Sequence, residues 1–187
     1  MDNRFSGLTL IELVSAMSIV AILAVSGTPI FMQLIARHKA NSISTAIYQQ
    51  LQFARNTAMN RGYKVTLCGS KDGKHCTNRS ILKILVFKDE DNNHQLDKSD
   101  LVIQAIDLDL KGQQLKFKAA LNRNYIEFDG NGRARQSGSF IYCSQTKEAG
   151  NSRRVVISLS GRVYLARDRD GDGVIEQANG NPIACVE

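Results

Sequence analysis

Residues 7–36 read GLTLIELVSAMSIVAILAVSGTPIFMQLIA, and the only charge among them is Glu12. Residues 13–36 are uncharged, longer than the ~20 residues that a helix needs to cross a bilayer. A secretory signal peptide would have a shorter apolar run and a longer charged start, whereas only MDNRFSG precedes this one. A plain membrane anchor accounts for the length but not for Glu12. A carboxylate at the end of an apolar helix is costly and calls for a partner. The rest of the 187-residue chain has room for one ordinary domain. Twenty-four Lys and Arg against eighteen Asp and Glu give +6, which permits an anionic partner without requiring one. With 43% hydrophobic residues, two prolines and fourteen glycines, the chain is neither disordered nor collagen-like.

Gly7-Leu8-Thr9-Leu10-Ile11-Glu12 resembles the processing motif of type IV prepilins and type II secretion pseudopilins. The resemblance implies a leader, residues 1–7, that an inner-membrane prepilin peptidase removes by cutting after Gly7. It implies methylation of the new amine at Leu8 and makes Glu12 the fifth mature residue. Pro29 falls at the twenty-second mature position, where many pilins also have proline. Leu8 stands where phenylalanine is commonest in the family. In a stack of helices, Glu12 could neutralise the terminal amine of a neighbouring subunit and so offset the burial of both charges. Pro29 lacks an N–H and Gly27 sits beside it, which predicts a kink or melted stretch there.

Beyond the apolar run, Ile43, Ile47, Leu51, Ala54 and Ala58 form one stripe on a 3.6-residue period. Asn41, Gln49, Gln52 and Asn56 lie opposite, and Gly62 suits a C-cap. A single helix over residues 8–61 follows: 8–36 for membrane or filament core, 37–62 amphipathic and entering the head. Residues 63–187 read as a β-rich head. Strands are expected over 63–68, 81–87, 101–110, 114–120, 125–128, 139–143, 154–160 and 162–166, with hairpin turns at Gly130-Asn131-Gly132 and Ser160-Gly161. No βαβ alternation occurs, so the class is α+β: a long N-terminal helix packed on a mainly antiparallel sheet or sandwich. Segments 54–68, 84–103, 128–143 and 153–168 resemble blocks of the GspH/FimT/FimU family of minor pilins and pseudopilins. That resemblance implies a structural subunit of a type IV pilus at the pilus tip or initiating complex. Its partners would be major and minor pilins, and it would be anchored in the inner membrane with its head in the periplasm before assembly and be displayed at the cell surface after. The alternatives within the family are a FimT-like DNA receptor for natural transformation and a GspH-like type II secretion pseudopilin.

Four cysteines in an exported head suit disulfides. Three connectivities are formally possible, and Cys68–Cys76 with Cys143–Cys185 is the most local. No C-x2-C spacing supports zinc. Two loops resemble calcium loops. Asp89, Asp91, Asn93, Asp97 and Asp100 take positions 1, 3, 5, 9 and 12, with His94 replacing the glycine at position 6. Asp168, Asp170, Asp172 and Glu176 take positions 1, 3, 5 and 9, with Gly173 at position 6 and Asn179 replacing the glutamate at 12. Ordinary Asx turns use the same residue types, so no cofactor is required and calcium is the alternative.

Charge is unevenly spread. Residues 88–109 hold two basic and seven acidic side chains, while 111–135 and 147–169 each hold six basic and two acidic. Gly132-Arg133-Ala134-Arg135 and Gly161-Arg162-Val163-Tyr164 resemble the GRxR motif of DNA-binding FimT proteins, the second with its last arginine missing. Arg133, Arg135, Arg153, Arg154, Arg162 and Arg167 are the residues that could meet DNA phosphates. His38, His75 and His94 form no nucleophile–base pattern, and phosphate-binding glycine motifs are absent. The sequence points away from an enzyme.

Overall fold

The computed structural model describes residues 9–144, 149–177, 180–183 and 185. The chain divides into two compact units between Arg37 and His38. The described part of the first unit is helix from Leu10 onward, the start of α1 (Leu10–Arg61). Leu8, where the helix was expected to begin, lies outside the described residues. α1 remains helical through Gly27 and Pro29, so no melted stretch forms. Proline removes one amide donor, and the Thr28 hydroxyl beside it donates to the Ala24 carbonyl at 2.6 Å.

The second unit contains every buried apolar residue among those described. Its helix ends at Gly62, whose N–H donates to the Ala58 carbonyl at 2.9 Å and whose φ is +69°, a conformation that favours glycine. The stripe of Ile43, Ile47, Leu51, Ala54 and Ala58 is buried, and Ala40 extends it by one turn.

Two antiparallel sheets follow. In the first, β1 (Val65–Ser70) lies beside β3 (Lys83–Lys88), and β3 beside β4 (Leu101–Asp107). The other edge of β1 is shared by β2 (Cys76–Thr77) and β6 (Tyr125–Phe128). The second sheet has the order β5 (Gln114–Ala119), β7 (Gly138–Cys143), β8 (Arg153–Ile157), β9 (Val163–Leu165). The strands are shorter than expected at several ends. Leu82 precedes β3 because its N–H is taken by the Ser70 carbonyl at 2.8 Å. Residues 108–110 leave β4, where the Leu110 N–H bonds back to the Leu108 carbonyl. Residues 158–160 form the turn into β9, with the Ser158 N–H on the Arg162 carbonyl. β2 was not expected at all.

Strand alternation gives each sheet two apolar faces. One face of each joins the main core: Val65, Leu67, Ile84, Val86, Ile126 and Phe128 from the first, and Leu115, Phe117, Phe140, Tyr142, Val155 and Ile157 from the second, together with the helix stripe. The outer faces carry small cores of their own. Cys68, Cys76, Leu85, Phe87 and Tyr125 form one, with Leu96 packed on it. Ile141, Cys143 and Ile183 form the other, with Ile175 and Cys185.

Candidate functional site

Gly7 and Leu8 lie outside the described residues. Two residues on, Thr9 and Glu12 form a reciprocal capping box. The Thr9 N–H and hydroxyl both donate to Glu12 Oε2 at 2.9 Å, and the Glu12 N–H reaches Thr9 Oγ1 at 3.4 Å. Each side chain thus satisfies an amide that the first helical turn leaves open. The sequence reading assigned Glu12 to a neighbouring subunit alone and missed this local role, although Thr-x-x-Glu before an apolar run is its signature. Along the helix, Ser15 and Ser18 donate to the carbonyls four residues back at 2.7 and 2.8 Å. The hydroxyls of Ser15, Ser18 and Thr28 are thus bonded within the helix, while large apolar side chains from Leu10 to Ile35 are 48–80% exposed. The helix is long and apolar enough to cross a membrane.

In the head, disulfides join Cys68 to Cys76 and Cys143 to Cys185, and no cysteine is free. Each belongs to an outer-face core, and each of those cores adjoins one of the acidic loops. Asp72 organises the loop closed by the first bridge. Its Oδ1 accepts the N–H groups of Lys74 and His75 at 2.9 Å, and its Oδ2 lies 2.7 Å from His75 Nδ1. These donors, the His75 N–H foremost, hold the Asp72 carboxyl well below the usual carboxylate range.

The first acidic loop occupies its buried carboxylate with its own backbone donors. Asp89 is buried and accepts the N–H groups of Asn93 and His94 at 3.1 and 2.8 Å, with His94 Nδ1 3.0 Å away. The His94 ring stacks on Tyr125 at 4.1 Å. Asp91 and Asp100 gather near Asp89, but Asp97 is turned to Ser99 and Asn93. The hydroxyl of Ser99 is the first cause of a lowered Asp97 pKa. In the second loop, Asp168, Asp170, Asp172 and Glu176 converge. The N–H groups of Gly171 and Gly173, each at 2.7 Å, depress the Asp168 pKa. Asn179 lies outside the described residues.

A family model for the Type II transport protein GspH matches residues 44–161. The chain belongs to the GspH family. The model of the prokaryotic N-terminal methylation motif matches residues 2–28. No match to the chain was found among curated proteins. Among solved structures, the type IV minor pilin FimU of Pseudomonas aeruginosa aligns with a TM-score of 0.55 at 17% identity, covering 70% of this chain and 90% of that one. The minor pseudopilin EpsH from the Type 2 Secretion System of Vibrio cholerae aligns with a TM-score of 0.50 at 15% identity, covering 68% and 95%. These likenesses show a shared pilin-type fold. The family is one of structural pilins and pseudopilins and is in general non-enzymatic.

The GspH-family head does not hold its six singled-out arginines as one set. Arg135 pairs with buried Glu127 at 3.2 Å, and Arg153 bonds Asn41 at 2.7 Å and the Gly150 and Ser152 carbonyls. Arg154, Arg162 and Arg167 line an open groove of about 710 Å³, but Asp168 and Glu176 line it too. Arg133 is exposed on the turn after β6. The two Gly-Arg dipeptides nevertheless meet. A Cβ on Gly161 would stand 1.8 Å from the Gly132 carbonyl oxygen, and that oxygen accepts Arg55 Nε at 2.9 Å. Their glycines therefore serve a backbone contact between two turns, which no local pattern could reveal.

Proposed function

We propose that this chain is a structural minor pilin of a type IV pilus, inserted in the inner membrane as a precursor. Prepilin peptidase cuts after Gly7 and methylates Leu8. The apolar half of α1 then moves from lipid into the filament core, and the β head faces outward at the pilus tip or initiating complex. The observation that carries this reading is the helix from Leu10 to Ile35, whose large apolar side chains stay 48–80% exposed among the described residues. Lipid covers such a surface first and neighbouring pilin helices afterwards. Among the described residues the donors to Glu12 fall on Oε2, which leaves Oε1 for the amine of a neighbour, so capping and docking are compatible.

The match to the GspH family and the likeness to EpsH support a second reading, a type II secretion pseudopilin. One experiment separates the two. Pili are sheared from cells unable to retract them, and this chain is quantified against the major pilin by mass spectrometry. A minor pilin co-purifies at a small fraction of the major subunit. A processed chain that stays in the membrane while pili are well recovered would favour the secretion reading.

A further inference from the structure

We propose that Asp168, Asp170, Asp172 and Glu176 form a calcium site that fastens the C-terminal tail to the second sheet. One carboxylate oxygen from each of the four lies within 4.8 Å of the others. Spacing and acidity alone would not make a site, because exposed acidic loops are common without an ion. Glu176 makes the difference. The residue is 8% exposed, and its Oε1 is sealed from solvent without a hydrogen-bond partner. Its Oε2 accepts the Arg169 N–H at 3.0 Å. A buried carboxylate oxygen with no donor is costly, and a cation in the cluster would satisfy it.

The donor set selects the ion. Four carboxylates with no imidazole or thiolate suit a hard cation and not zinc. Magnesium prefers a compact octahedron and keeps most of its waters, whereas calcium accepts several carboxylates in a flexible loop. Backbone N–H groups already orient three of the ligands. Asp168 accepts from Gly171 and Gly173, Asp170 from Asp172 at 3.2 Å, and Asp172 from Val174 at 2.7 Å. Each carboxylate retains lone pairs for a metal. Gly173, at φ +85°, supplies the sharp turn at the sixth position of such a loop. The 89–100 loop differs. There the buried carboxylate, Asp89, has both oxygens occupied by backbone N–H groups.

An ion here would act on the tail. After Glu176 the chain returns through a bridge between Glu176 and Pro182, and the Ile183 N–H donates to the Ile175 carbonyl at 3.2 Å. Ile175 and Ile183 pack against Ile141 and the Cys143–Cys185 bridge. The site would fix the base of this hairpin. It would also offset part of the negative charge of Asp168 and Glu176 in the groove that Arg154, Arg162, Arg167 and Arg169 line, making that groove more positive.

The test uses the full chain in neutral detergent micelles, freed of metal with a chelator, and equilibrium dialysis with radioactive calcium. The expected result is one calcium per chain, with a Kd between about 10⁻⁵ and about 10⁻³ M. Asp170→Asn with Asp172→Asn should weaken binding at least about tenfold, since each removes a charged ligand. Both residues are exposed, so the fold should survive, as circular dichroism would verify. Asp89→Asn with Asp91→Asn should leave binding intact. In hydrogen exchange, calcium should slow the Ile183 amide in the parent chain and not in the Asp170/Asp172 variant. Three results would each overturn the proposal: no bound calcium up to about 5 mM, binding that survives the Asp170/Asp172 change, or binding lost only in the Asp89/Asp91 variant.

Discussion

Replacing Gly161 by alanine should unsettle the head far more than its place in a turn suggests, because the residue is buried. The residue has φ +78° in the turn before β9. Left-handed backbone costs alanine about 1 kcal/mol relative to glycine. The new Cβ would lie 1.8 Å from the Gly132 carbonyl oxygen, whereas carbon–oxygen contacts begin near about 3.3 Å. The turns must therefore separate by about 1.5 Å, and no side-chain adjustment can absorb it, since the opposing atom is backbone. The retreat breaks the Arg55–Gly132 bond at 2.9 Å, a charge-assisted contact whose loss costs about 1.5–3 kcal/mol. The expected destabilisation is about 3–5 kcal/mol. Gly62→Ala is the control. It has φ +69° but open space around the new Cβ, so about 1 kcal/mol is expected. Urea denaturation of residues 38–187, followed by circular dichroism, gives both numbers, because the described core lies entirely in that unit. Arg162→Ala, at an exposed position, should change stability by less than about 0.5 kcal/mol. If Gly161→Ala costs no more than Gly62→Ala, the contact between the two turns has no structural weight and the reasoning fails.

Removing the Cys143–Cys185 bridge, which closes a separation of 42 residues, should cost about 4 kcal/mol, and removing Cys68–Cys76, with a separation of 8, about 2.5 kcal/mol. Denaturation of the paired serine variants would show this, and equal losses would contradict the loop-entropy ordering. The depressed Asp72 carboxyl binds its proton more weakly in the folded state than in the unfolded one. Its contribution is therefore complete above about pH 4 and disappears as pH falls through the lower folded value. A carbon-detected NMR titration should place Asp72 below the other exposed aspartates, and an ordinary midpoint would refute the capping role. Without calcium, the carboxylates sharing the arginine groove should keep duplex DNA from binding at about 0.15 M salt, where screening is already strong. A retarded band in a gel shift that disappears with Arg154→Ala, Arg162→Ala and Arg167→Ala together would restore the DNA-receptor reading.

What could be read from the sequence was what is encoded between near neighbours. The uncharged run after Glu12, the 3.6-residue stripe from Ile43 to Ala58 and the glycine at 62 each report a helix through local spacing. β6 was readable because its four apolar-rich residues stand between turn residues. Strand ends were not, because partners distant in sequence set them: Ser70 captures the N–H of Leu82, and the same strand recruits the two residues of β2. The division into two sheets, each with a second apolar face, depends on which strands pair. For the same reason the acidic loops looked like isolated metal motifs, although Leu96 packs on one outer core and Ile175 on the other. The arginines were grouped by charge, but Arg135 answers to Glu127 and Arg153 to Asn41, which is 112 residues away. The Thr9–Glu12 box is local in sequence, yet a carboxylate that also suits a distant amine does not announce its near partner.

Maturation is tested most directly by the mass of the N-terminal peptide recovered from cell envelopes. The expected peptide begins at Leu8, carries one added methyl group and retains Glu12 and the apolar helix that follows. A chain that still begins at Met1, or one cut downstream so that residues 8–36 are lost, would contradict the pilin reading.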